Sequence, residues 1–182
     1  MMLSNEDNEN SSKIISFRLS TSTINQMKNE AKNKKVSLNS IVSKVLTKYT
    51  QWDTHTKEMS VVPIPKFILK QMFDEMEIHS IDKLIESFHE YIKECTILAK
   101  EKYEFQQCML FLKLYFNELG FHTKDAFDNN AYHYTVHHKL GLKWSILIEG
   151  LIKKICEEFN EDKDPKFLLT PSTIKISVFL HD

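Results

Sequence analysis

Residues 13–20, KIISFRLS, alternate apolar and polar side chains in the two-residue period of a half-buried strand. The next forty residues give that strand nothing to pair with. There apolar residues recur every three or four positions, first as Ile24, Met27 and Ala31, then as Ile41, Val42, Val45, Leu46 and Tyr49. Ser20 to Ser22 supply caps for a helix opening at about Thr21, and Ser37 caps a second helix after the break NKKV at 33–36. A lone strand leaves its backbone donors and acceptors unsatisfied. One strand and two short helices, roughly 40 residues, also bury too little apolar area to fold alone. Both shortfalls disappear when two copies pair their strands antiparallel and pack their helices together, so this segment predicts an obligate dimer.

Charge divides the chain in the same place. Residues 1–12, MMLSNEDNENSS, are polar and acidic, with nothing to bury, and predict a disordered arm. Residues 13–57 hold nine lysines or arginines against only Glu30 and Asp53, while residues 58–182 hold fifteen lysines against twenty carboxylates. A small basic unit is joined to a larger acidic one, and the basic one suits a polyanion. It also contains the only arginine of the chain, Arg18, where all 23 other basic residues of the sequence are lysines.

The order strand (S16-F17-R18-L19), helix from about Thr21, and helix announced by S37-L38-N39-S40 resembles the ribbon-helix-helix family of Arc- and MetJ-type repressors over residues 13–52. The resemblance implies a dimeric two-stranded ribbon in the DNA major groove, as in a prokaryotic-type repressor. Alternation then turns Ile15, Phe17 and Leu19 inward, to join Ile24, Met27, Ile41, Val45 and Leu46 in a dimer core, and turns Ile14, Ser16 and Arg18 toward base edges. Arg18 can donate two parallel hydrogen bonds to guanine, which a lysine cannot reproduce. The start of the second helix, Ser37, Leu38 and Asn39 with the free amides of Leu38, Asn39 and Ser40, implies a phosphate clamp, with Lys34 and Lys35 adding sequence-blind attraction. Lys28, Lys32, Lys44 and Lys48 read as a solvated helical face. Where the family often has glycine between the helices this chain has none, so Asn33 or Lys34 is expected in a left-handed conformation.

A linker is expected at 53–60, and an α+β domain with helices over one face of a small sheet at 61–182. Pro65 starts a helix to about Met76, Ser80 caps another through about Ala99, and a third spans roughly 101–119, ended by Gly120. Residues 131–138 and 172–180 read as strands, with an apolar helix over 143–159 between them. Cys95, Cys108 and Cys156 sit among apolar residues and read as buried free thiols.

Chemical motifs are sparse. Three glycines exclude a glycine-rich phosphate loop. His133 and His137 would share one face of a strand, giving two metal ligands where a site needs at least three, the third to come from Cys108 or His122. No cofactor and no enzymatic activity is expected. No apolar run approaches the roughly 20 residues that cross a bilayer, and the polar start is unlike a signal peptide, so the reading is cytoplasmic. Two functions fit: a sequence-specific transcriptional regulator binding double-stranded DNA as a homodimer or tetramer, with a protein or small-molecule effector at residues 61–182, or an antitoxin or adaptor whose C-terminal part captures a protein while the ribbon autoregulates.

Overall fold

In the computed structural model of the chain, residues 14–54, 59, 62–100, 103–128, 131–159 and 165–179 are described. The acidic arm expected at 1–12 and most of the linker expected at 53–60 lie outside them. The chain divides into two compact units, the first ending at Thr50 and the second beginning at Gln51.

The first unit is a helix pair, α1 (Thr21–Lys34) and α2 (Leu38–Lys48); a π-helical stretch, Tyr49–Asp53, carries the chain from the first unit into the second. Ser20 caps α1, its Oγ accepting from Thr23 N–H at 3.1 Å, and Ser37 caps α2 by accepting from Ser40 N–H at 3.0 Å. The left-handed residue between the helices is Lys35, φ 55°, and not Asn33 or Lys34 as expected. The reversal falls there because α1 keeps its last turn through Lys34, and the Lys35 and Val36 amides then close it on Lys32 and Ala31 carbonyls. Residues 14–20 form neither helix nor strand. The strand expected over 13–19 is therefore absent from the described residues 14–19 of the single chain, whose backbone has no neighbouring strand to bond.

The second unit is α+β. Helices α3 (Lys66–Glu75), α4 (Ile78–Lys100) and α5 (Phe105–Glu118) precede a hairpin of β1 (His122–Asp128) and β2 (Ala131–His137), then α6 (Leu142–Phe159), β3 (Lys166–Leu169) and β4 (Thr173–Phe179). The strands form one antiparallel sheet in the order β1-β2-β4-β3. Tyr134, Val136, Ile174, Ile176 and Val178 turn one face into a core shared with Phe111, Phe116, Ile148 and Ile152 of the helices. The core also takes in Trp52, ringed by Phe111 and Tyr115, and Met59, whose carbonyl accepts from Tyr91 Oη at 2.9 Å. Both fall where the sequence reads the end of the basic unit and a linker. The three cysteines are free and buried.

Two helix starts and two strands differ from expectation: α5 opens at Phe105, about four residues later than expected. Helix α4 opens at Ile78, so Ser80 lies inside its first turn with its N–H bonded to Glu77 O, and is not the cap. Strands β1 and β3 were not expected: HTKDAFD shows no apolar alternation, and KFLL is only four residues long. Gly120, φ 68°, follows α5 as the sequence predicts.

Helices α4 and α6 meet at Gly150, where a Cβ would lie 2.2 Å from Ile85 Cδ1 and 3.0 Å from its Cγ1. Gly150→Val is expected to cost about 1–3 kcal/mol in urea unfolding, and a double-mutant cycle with Ile85→Ala to cost less than the sum of its parts. Strict additivity would show that the two positions do not meet.

Candidate nucleic-acid interface

Arg18, Ile14 and Ser16, the expected base readers, are all exposed on residues 14–20. Arg18 has no ion-pair partner among the described residues, so its guanidinium is free to donate. The expected dimer core separates into two groups. Ile41 is buried at 6 % exposure, and Ile24 and Met27 are half-buried, because α1 and α2 pack on each other around Ala31. Ile15, Phe17, Leu19, Val45 and Leu46 remain exposed, Phe17 at 59 % and Val45 at 54 %. Five exposed apolar side chains on a unit of two short helices are uncovered area that water must hydrate.

The start of α2, expected to act as a phosphate clamp, differs from the expectation in two respects. Of the three amides expected to be free, that of Ser40 is taken by Ser37 Oγ, leaving Leu38 and Asn39 at the positive end of the helix. Lys34, expected as free charge, pairs with Glu30 one turn earlier. That bond and the charges of Lys34 and Lys44 hold the Glu30 carboxyl below the usual carboxylate range. An exposed pair of this kind is weak, so Lys34 can exchange it for a phosphate. Lys35, held at the reversal, stays exposed.

In the second unit His133 and His137 lie on the sheet face away from the helices. His133 Nδ1 is 2.8 Å from Ser177 Oγ, and His137 Nδ1 is 2.9 Å from Thr173 Oγ1. His122 sits opposite His137 across the β1–β2 pair, whereas Cys108 is in the core on the helical side. Cys108 cannot join them, and among the described residues no group of three or more His, Cys, Asp or Glu side chains could hold a metal ion. A second polar cluster joins α4 to α6: Glu158 accepts from Tyr103 Oη, pairs with Lys93, and lies 3.0 Å from His89 Nε2. Burial, with the neighbouring Glu158 charge, raises the Cys108 thiol to about 11, so beside this cluster it stays protonated.

The sequence reading missed the remaining lysines of the sheet face. Lys124 on β1 and Lys175 on β4 flank Thr135 of β2, and Lys166 of β3 faces Ser177. Their grouping depends on β1 and β3, for which the sequence carries little periodic signal. No protein-family model matches the chain, and no curated protein matches it. Among the described residues no helix is long and apolar enough to cross a membrane.

Proposed function

We propose that this protein is a sequence-specific DNA-binding transcriptional regulator that works as a homodimer, with residues 13–19 of two copies paired as a ribbon in the major groove. The observation that carries this reading is the exposure of five apolar side chains in the first unit. Ile15, Phe17 and Leu19 lie on a segment without strand partners, and Val45 and Leu46 face solvent on α2. A second copy supplies both what the backbone lacks and what the apolar side chains lack. The same pairing doubles the basic charge and sets two Arg18 side chains on one outer surface. The capped start of α2, with its two open amides, is the matching phosphate site. The self-contained core of the second unit favours an effector or oligomerisation domain over an antitoxin tail, which would order only on its partner.

The test is selection of bound duplexes from a randomised DNA library by the full chain, with Arg18→Ala in parallel. A repeated or palindromic short site enriched by the wild type and not by Arg18→Ala is the expected result, since each bidentate guanine contact discriminates by about 1–3 kcal/mol. Lys34→Ala with Lys35→Ala should instead weaken binding to every duplex and flatten its salt dependence. Identical behaviour of the two variants would overturn the division between reader and clamp, and no enrichment by the wild type would overturn sequence-specific regulation.

A further inference from the structure

The second unit is acidic overall, yet one face of its sheet is not. Strand alternation and register place Lys124, Lys166 and Lys175 on the face away from the helices, with His122, His133 and His137 among them. The only carboxylate on that face within the described strands is Asp128. Asp125, the other acid of β1, points to the helical side, where Lys113 binds it at 2.7 Å. Lys124, Lys166 and Lys175 are exposed and form no ion pair among the described residues. Lys124 and Lys175 are two strands apart, roughly 10 Å, and Lys166 stands one strand across and two residues along from Lys175. Two hydroxyls lie among them, Thr135 between Lys124 and Lys175, and Ser177 beside Lys166, the latter 2.8 Å from His133 Nδ1.

We infer that this sheet face is a second DNA contact, one that takes the phosphate backbone of duplex DNA without reading its sequence. The inference rests on the DNA-binding reading of the first unit and extends it to the second. Charge complementarity selects a polyanion. A single-stranded ligand would call for large aromatic platforms on which bases stack, and the only Phe, Tyr or Trp ring on the face within the described strands, Phe179, is covered by the Lys166 ammonium 5.1 Å from its centroid. Lysine ammonium groups on flexible stems, with hydroxyls among them, are instead suited to phosphate oxygens. Being on the chain that carries the ribbon, the face meets DNA at a high effective concentration once the ribbon is bound, so modest contacts there add strongly to total affinity.

The experiment compares full-length wild type, Lys34→Ala/Lys35→Ala, and Lys124→Ala/Lys166→Ala/Lys175→Ala, by fluorescence anisotropy with a random-sequence duplex across a salt series. Vesicles of phosphatidylserine and phosphatidylcholine are assayed in parallel by co-sedimentation. The sheet variant is expected to bind the duplex about tenfold more weakly at moderate salt, with a salt slope smaller by about 3 for each engaged face. All three positions are exposed, so its circular dichroism and unfolding midpoint should match the wild type. Unchanged affinity and slope in the sheet variant, with weakening by Lys34→Ala/Lys35→Ala, would overturn this inference and leave the ribbon reading standing. Failure of the wild type to bind duplex even at low salt would overturn both. Loss of vesicle binding with duplex binding intact would overturn it in favour of an anionic membrane surface.

Discussion

Phe17→Glu is expected to leave the protein monomeric at micromolar concentration and to abolish its binding to DNA. In a single chain Phe17 is 59 % exposed and its neighbour Leu19 46 %, so a glutamate there costs one copy almost nothing. In a ribbon dimer both copies of residue 17 face the helical core. Two buried rings, each contributing about 1.5–3 kcal/mol, would be replaced by two unpaired carboxylates, each costing several kcal/mol more to desolvate. The sum is comparable with the whole stability of a small domain, about 5–15 kcal/mol. Ile14→Glu supplies the control, because Ile14 is the most exposed apolar residue among those described, at 101 %, and alternation places it on the opposite side of the strand. It should keep the dimer while lowering DNA affinity through like-charge repulsion. Sedimentation equilibrium with duplex binding on the same samples distinguishes the two, and dimerisation of Phe17→Glu would mean that residues 13–19 do not form the subunit contact. The second unit has its own core and should retain its helical circular dichroism in both variants.

Between pH 6.5 and pH 4 the second unit is expected to lose about 3 kcal/mol of stability through one residue, His138. It is 1 % exposed. Its Nδ1 accepts from the Leu140 N–H at 3.0 Å, which leaves the proton on Nε2 to be donated to Ser145 Oγ at 3.0 Å, and that hydroxyl donates to the Thr170 carbonyl at 2.7 Å. The neutral ring is thus fully satisfied. A second proton on Nδ1 would be buried and would oppose the Leu140 N–H. Burial, with the charges of His137 and Lys66 nearby, pulls the ring down from 6.5 to about 4. Above pH 6.5 neither folded nor unfolded ring is charged and stability is unaffected. As pH falls, only the unfolded ring takes up a proton, so stability drops by about 1.4 kcal/mol per pH unit until the folded ring also titrates near 4. His138→Gln can accept from Leu140 and donate to Ser145 without titrating. It should be less stable at pH 7 but lose little more between pH 6.5 and 5, a window that lies above the pH at which the depressed carboxyls of Glu30 and Glu158 begin to protonate. Urea unfolding at several pH values measures this, and parallel losses in wild type and variant would assign the effect elsewhere.

Helices were legible wherever a three-to-four period met a cap or a stop. Ser20 and Ser37 begin α1 and α2 where the sequence places them, and Gly120 closes α5. The apolar strands β2 and β4 were equally plain, since Tyr134, Val136, Ile174 and Ile176 alternate with polar residues. Strand β1 was not, because an edge strand with one exposed flank needs little apolar surface and its identity comes from the strand it pairs with. That omission hid the sheet face on which Lys124, Lys166 and Lys175 come together, residues that lie far apart along the chain. The Lys34–Glu30 pair and the use of the Ser40 amide by Ser37 were legible in principle, as a Glu and Lys four apart on one helix face and as the ordinary bond of a serine cap, but the sequence reading did not draw them.

By itself the sequence determined the local period of the helices, the caps Ser20 and Ser37 of the first two, and the segregation of basic from acidic charge. All of these are set by neighbours within a few residues, or by composition summed along the chain. Only the tertiary structure decided that Trp52 and Met59 belong to the second core, that His138 is buried neutral beside Ser145, and that lysines from three strands share one surface. Those outcomes depend on which distant segments pack together, and packing is chosen by the whole set of apolar faces competing for the same core.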